Sequence, residues 1–256
     1  MKYNYHTHTV RCGHATGEDR EYVETAIKAG LEKFGFSDHA PFRFPDGFTF
    51  GSHMPPERAE EYISSIRKLR EEYQEKIKIF VGFETEFLPT YHKEKVDYYR
   101  SLGAEYLILG NHFLFDAYPN TVYASTPTND ENLLKVFTDE LIQGMETGDF
   151  SMIAHPDMFN FTGDERTYEK QVQRLCDASN DTGIPLEINF LGIRTNRHYP
   201  RERFWELAGE RGASVVFGMD AHAPQDAGDL VSAKKAYDIV EKYGLNFVKD
   251  PKLLKL

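Results

Sequence analysis

Residues 59–84 read AEEYISSIRKLREEYQEKIKIFVGFE, and this stretch holds the unit from which the rest of the chain can be read. Ala59, Tyr62, Ile63, Ile66, Leu69 and Tyr73 fall at spacings of three, four and seven, with Glu and Arg between them, which predicts a helix with one apolar face. The short apolar run Ile77 to Phe83 then predicts a buried strand, and Glu84 comes directly after it. The same rhythm extends in both directions, with further strands predicted at Lys2 to Tyr5, Lys33 to Phe36, Tyr106 to Leu109, Ser151 to Ala154, Pro185 to Ile188 and Ser214 to Gly218, seven in all. Such alternation predicts an α/β protein with parallel strands. Thr162 and Glu165 are spaced as a capping box ahead of a stripe of Tyr168, Val172, Leu175 and Cys176, which places Cys176 in the core. Gly30, Gly183, Gly212 and Gly244 stand where helix yields to strand, as C-terminal caps do.

The length of 256 residues suits one barrel-sized domain, and no linker or low-complexity tract divides it, so residues 1–256 are expected to form a single unit. With 40% hydrophobic residues, 15 Tyr and 19 Phe, the chain can fill a large core, which excludes disorder. No apolar run nears the roughly 20 residues needed to span a bilayer, and Met1 to Val10 is polar and aromatic, so a cytoplasmic protein with no membrane partner is expected. Two distant cysteines, Cys12 and Cys176, cannot form a disulfide framework. Acidic residues outnumber basic ones 41 to 30, and the net charge of -11 disfavours nucleic acid as a partner.

The predicted strands end alike. His6 and His8 close the first, and at period two both imidazoles face one side and can share a cation. Ser37-Asp38-His39 closes the second, Gly82-Phe83-Glu84 the third, Gly110-Asn111-His112 the fourth, Ala154-His155-Pro156 the fifth and Met219-Asp220-Ala221-His222 the seventh. If the strands are parallel, these ends gather on one rim, bringing His6, His8, His39, Glu84, His112, His155, Asp220 and His222 together. Imidazole with carboxylate suits Zn, Fe or Mn, and eight ligands exceed what one ion can use, so two or three ions are expected. The long connections Ala40 to Pro56 and Phe113 to Asn129 should overhang the same rim.

In this order and across almost the full chain, these motifs resemble the PHP (polymerase and histidinol phosphatase) superfamily. Cys12-Gly13-His14-Ala15 is similar to its histidinol-phosphatase branch, in which the added histidine completes a third metal site. The resemblance implies a distorted seven-stranded (β/α)7 TIM-like barrel with three divalent transition-metal ions. His6, His8, Glu84 and Asp220 would hold one, Glu84, His112 and His155 a second, and His14, His39 and His222 a third, with Glu84, Asp220 and His222 at the reacting centre. Two ions about 3.5 to 4 Å apart can share a hydroxide and aim it in line at phosphorus. The implied reaction is hydrolysis of a small phosphomonoester, L-histidinol phosphate being favoured, with inorganic phosphate as product. Another sugar or nucleoside phosphate is the alternative, and a nuclease or a non-catalytic metal-binding module stands further back.

Phosphate calls for cationic partners, and Arg194 and Arg197, after the sixth strand, are the first candidates, with Arg11 and then Arg20 in reserve. Asp38 is expected to orient a neighbouring ligand. Asp157 and Glu86 are candidate partners for a cationic substrate group or a proton donor, and His198 could touch substrate. His53 and His92 are expected in solvated surface positions.

Overall fold

The computed structural model describes residues 1–114, 121–249 and 251–256. Strands β1 (Tyr3–Asn4), β2 (Lys33–His39), β3 (Lys78–Thr85) and β4 (Leu107–Leu109) form one parallel sheet in that order. A short antiparallel hairpin, β5 (Phe113–Leu114) with β6 (Val122–Tyr123), follows, and then a second parallel sheet of β7 (Leu186–Asn189), β8 (Ser214–Gly218) and β9 (Asn246–Phe247). Isolated parallel bridges join Leu109 to Ile153, Ile153 to Leu186, and Thr7 to Ala221, so the sheets curl towards each other on both sides. The helices are α1 (Asp19–Lys28), α2 (Ala59–Tyr73), α3 (His92–Leu102), α4 (Glu131–Thr147), α5 (Glu165–Thr182), α6 (Phe190–Arg194), α7 (Glu202–Glu210) and α8 (Leu230–Tyr243).

Period two along the strands separates two apolar layers. Phe34, Phe36, Ile79, Val81, Phe83, Leu107, Leu109, Leu186, Ile188, Val215 and Phe217 join the helices in the outer core. In α2 the six residues expected to face the sheet, Ala59, Tyr62, Ile63, Ile66, Leu69 and Tyr73, are all buried. Each of the larger ones contributes about 1.5–3 kcal/mol of burial. The inner face is filled by Tyr3, Tyr5, Tyr106, Ile108, Met152, Ala154 and Val216, and the Tyr106 hydroxyl donates to the Tyr5 carbonyl at 2.8 Å. By the same alternation Glu84, Glu187, Asn189 and Asp220 fall on the inner face, at the carboxyl ends of their strands.

Six of the seven expected strands are present. The Ser151 to Ala154 segment makes only bridges through Ile153, although Ser151 N–H still bonds to the Leu107 carbonyl and Ile153 N–H to that of Pro185. Pro185 has no N–H to return, which cuts the ladder on that side. Helix α5 corrects the expected capping box: its cap is Asp164, whose carboxylate accepts from Thr167 N–H, while Thr162 is tied to Thr128. Gly183 and Gly244 cap their helices, and Gly30 and Gly212 lie one residue beyond theirs. The hairpin and β9 were not anticipated, and of the Phe113 to Asn129 connection residues 115–120 lie outside the described residues. Cys12 and Cys176 are free and buried. Among the described residues, no helix is long and apolar enough to cross a membrane.

Candidate metal centre

His6 and His8 follow β1, where Thr7 bridges to Ala221 and His8 N–H donates to the Ala221 carbonyl at 2.9 Å. This brings the first and last ligand-bearing segments side by side. His6 Nε2 lies 3.1 Å from His8 Nε2, 3.4 Å from Glu84 Oε2 and 3.6 Å from Asp220 Oδ1. His8 Nε2 lies 3.4 Å from Glu84 Oε2 and 3.2 Å from Asp220 Oδ1. A tetrahedral zinc site with bonds of about 2.0–2.1 Å has donor atoms roughly 3.3 Å apart. The two imidazoles have that spacing from each other and from each of the two carboxylates, to within about 0.3 Å.

Parallel register sets His39 opposite Glu84 on the neighbouring strand, with His39 Nδ1 3.1 Å from Glu84 Oε2. The other oxygen, Oε1, lies 2.9 Å from His155 Nε2 and 3.7 Å from His112 Nε2. The Glu84 carboxylate fits there because residue 110 is glycine, where a Cβ would stand 2.1 Å from Oε1. His14, His39 and His222 form a further group whose donor atoms lie within 4.8 Å of one another, His14 Nε2 being 3.0 Å from His222 Nε2. All nine histidines and carboxylates singled out as ligands thus meet at one rim. Cys12 adds a thiol to the edge of the cluster, grouped with His8 and His222.

The donor set fits divalent ions. Glu84 Oε2, Asp220 Oδ1 and His39 Nδ1 are buried without a hydrogen-bond partner, a costly state for polar atoms unless a cation completes it. Burial pushes the Glu84 carboxyl up, but His112, His6 and His39 around it hold it well below the usual carboxylate range. Burial, reinforced by His222, pushes His8 down to about 3, so its ring is held neutral, the form a metal requires.

Around these side chains lies a shell of supporting contacts. Asp38, expected to orient a neighbouring ligand, accepts from the backbone N–H of His39 at 2.8 Å and lies 3.5 Å from His8 Nδ1. Glu187, not anticipated, is fully buried and accepts from His6 Nδ1 at 2.8 Å. It had a legible signal: in Leu186-Glu187-Ile188-Asn189, period two points both polar residues inward. Glu86 bridges two imidazoles, His112 Nδ1 at 3.2 Å and His53 Nε2 at 3.0 Å. His53 is therefore buried and paired, not solvated, because the Ala40 to Pro56 loop folds it back over β3. His92 is half-buried, 2.8 Å from Asp149.

The arginines separate clearly. Arg11 is buried and fully engaged, donating to both oxygens of Asp19 and both of Glu61, which corrects its expected place at the substrate. Arg20 is likewise held by Glu72 and Tyr73. Arg194 is also corrected, since its guanidinium donates to the backbone carbonyls of Met219 and Asp220, 3.3 Å from Asp226. Arg197 alone of these lines the cleft above the cluster, a cavity of about 690 Å³ that also includes Phe113, Tyr123, Met158 and Tyr199. Its Nη1 donates to Tyr199 Oη at 3.3 Å. Asp157 is not among the residues lining this cleft, and its Oδ2 accepts from Arg201 N–H and Trp205 Nε1, which corrects its expected place beside the substrate. The His198 ring bonds to the Met158 carbonyl at 2.6 Å.

A curled α/β sheet with imidazoles and carboxylates crowded at the carboxyl ends of its strands defines a class of metal-binding proteins. This chain belongs to one family within it, the PHP domain family, whose model matches residues 4–190. It is 30% identical over 258 residues to histidinol-phosphatase of Lactococcus lactis, covering 96% of this chain and 92% of that protein. A probable histidinol-phosphatase of Deinococcus radiodurans is 29% identical over 229 residues, 87% of each chain. The crystal structure of histidinol phosphate phosphatase from Lactococcus lactis, complexed with zinc, L-histidinol and phosphate, shares the fold at a TM-score of 0.72 and 22% identity, covering 96% of this chain and 95% of that one.

Proposed function

We propose that the protein is a cytoplasmic, metal-dependent phosphomonoesterase that hydrolyses L-histidinol phosphate to L-histidinol and phosphate. The observation that carries this reading is the convergence of nine ligand-type side chains, several with unpartnered buried polar atoms, at the floor of a cleft that Arg197 overlooks. His6, His8, Glu84 and Asp220 would hold one divalent transition-metal ion, Glu84, His112 and His155 a second, and His14, His39 and His222 a third. The ions are zinc, iron or manganese, and when bound they supply Lewis acidity towards the phosphoryl oxygens and a nucleophilic water at neutral pH.

The chain's own residues do the rest. Arg197 offers a planar fork to two phosphate oxygens, and its contact with Tyr199 keeps the fork over the cleft. Phe113 and Tyr123 form an aromatic wall suited to a head that carries a cationic amine beside a planar imidazole, and Phe50 braces Phe113 by stacking at 4.8 Å. Residues 1–256 are read as one domain, a distorted seven-stranded (β/α)7 barrel. Two observations support this: the isolated bridges continue the ring of strands, and Asp220 and His222, beyond the family match, join the same cluster.

The deciding experiment is phosphate release from a panel of small phosphomonoesters, compared by kcat/KM, with and without added manganese or zinc. Histidinol phosphate should lead the panel by at least about tenfold, and chelation should abolish turnover. A sugar or nucleoside phosphate in first place would replace the substrate assignment and leave the metal chemistry standing.

A further inference from the structure

Strand β7 ends in no ligand of the cluster, yet its two inward side chains touch three of them. Glu187 is fully buried, and both its oxygens are engaged. Oε1 lies 2.8 Å from His6 Nδ1, while Oε2 accepts from His155 N–H at 3.0 Å and from Asn189 Nδ2 at 2.8 Å. A carboxylate only accepts, so His6 must carry its proton on Nδ1 and turn the Nε2 lone pair into the cluster. The bond to His155 N–H holds a backbone that needs holding. Among the described residues, the non-glycine positions with positive φ are His155 (31°), Asn196 (52°) and Asp220 (46°), and two of these three are ligand positions. Each costs on the order of 1–3 kcal/mol and persists only where its surroundings enforce it.

Asn189 engages the side chain of the other one, Asp220. Its Oδ1 accepts from Gly192 N–H at 3.1 Å at the start of α6, which fixes the orientation of the amide. Nδ2 then faces two carboxylates, Glu187 Oε2 and Asp220 Oδ2, the latter at 3.1 Å. With Oδ2 so engaged, Asp220 Oδ1 is left facing His6 and His8. Residue 218 accommodates the arrangement, since any Cβ there would stand 1.6 Å from Glu187 Oε1.

We infer that Glu187, assisted by Asn189, is the positioning residue of the metal centre, setting the tautomer of His6, the backbone of His155 and the free oxygen of Asp220 in a single hydrogen-bonded unit. The inference rests on reading the cluster as a metal centre. It predicts that disturbing a strand without ligands weakens ions held by three other segments.

The test is Glu187→Gln. A glutamine has one acceptor oxygen where Glu187 has two, so it cannot serve both His6 Nδ1–H and His155 N–H. Zinc affinity, measured on chelator-stripped protein by competition with a chromogenic chelator, should fall about 10–100-fold, as for other orienting partners of ligands. The slowly exchanging His6 Nδ1–H proton in the 15N-edited NMR spectrum should shift or vanish, and kcat should fall more than KM rises. Asn189→Ala keeps Glu187 in place and removes the amide on Asp220, so it serves if Glu187→Gln does not fold. It should weaken zinc by about 2–10-fold, the worth of one hydrogen bond. Parent-like zinc affinity and an unchanged His6 signal in Glu187→Gln would overturn the inference, as would parent-like affinity in Asn189→Ala were that the variant tested. A parent protein that takes up no zinc would instead overturn the metal-centre reading beneath it.

Discussion

Along the four-stranded sheet, the strand ends deliver donor atoms: His6 and His8 after β1, His39 on β2, Glu84 on β3 and His112 after β4. On the three-stranded sheet, β7 delivers Glu187 and Asn189, whose hydrogen bonds go to side chains from other segments, and only the stretch after β8 supplies ligands, Asp220 and His222. Even Asp220 depends on its neighbours, through Asn189 on one oxygen and Arg194 on its carbonyl. In the proposed centre the first region would supply ligands, while the second would add Asp220 and His222 and otherwise set angles. A carboxylate serves either purpose, at Glu84 or at Glu187, and only the partners of its oxygens tell the two apart.

The comparison breaks most easily at Glu84, which sits within 3.7 Å of donor atoms on His6, His8, His39, His112 and His155. Glu84→Ala should cut kcat by at least about 10³-fold and lower the metal content by more than one ion per chain, read by elemental analysis. Next comes His14, exposed and at the edge of its group. His14→Ala should lose one ion and keep slow residual hydrolysis; equal and complete loss in both variants, with two ions still bound, would erase the distinction between central and peripheral ligands.

The two arginines after β7 sharpen it further. Arg197→Ala should raise KM roughly 10–100-fold, the range for a charge-assisted contact, with Arg197→Lys recovering part of the loss because a point charge lacks the fork. If Arg197→Ala leaves kcat/KM within about twofold of the parent, below roughly 0.5 kcal/mol, the phosphate is bound elsewhere.

The smallest effect on catalysis is expected at Arg11, whose partners are Asp19 and Glu61. Arg11→Ala should leave kcat/KM near the parent while lowering stability by about 1–3 kcal/mol, chiefly because buried Asp19 loses its cation. The hydrogen bond from Arg11, opposed by partial burial, holds the Glu61 carboxyl down at about 2. A depressed carboxyl stabilises the fold above its unfolded value, near 4.5, and that share is lost as pH falls towards 2. Glu61 is half-exposed, so solvent screens this share. The Tm difference between parent and variant should be constant above that range and narrow below it.

Much of the centre was legible in the chain because parallel strands turn scattered positions into neighbours, and a ligand-type residue at or just past the end of most strands is a pattern visible without coordinates. The arginines were not. Residues 190–194 coil into α6, which swings Arg194 back onto the carbonyls of Met219 and Asp220, whereas the left-handed turn at Asn196 sends Arg197 the other way. Spacing alone treats the two alike. His53 was missed for a different reason: its partner, Glu86, lies 33 residues away, and nothing local marks the pairing. The weak fifth strand follows from a proline on the facing segment, a constraint that belongs to the pair and to neither segment alone.

The bridge between Thr7 and Ala221 gives the centre a role in the history of each molecule. His14 and His222 stand 208 positions apart in the chain, and joining points so distant costs roughly 5 kcal/mol of loop-closure entropy. Ions bound across that seam, as proposed, would act as a reversible cross-link between the two segments, and their removal should make the seam the first place to open. During synthesis no ion could be held by the full proposed set until His222 had left the ribosome.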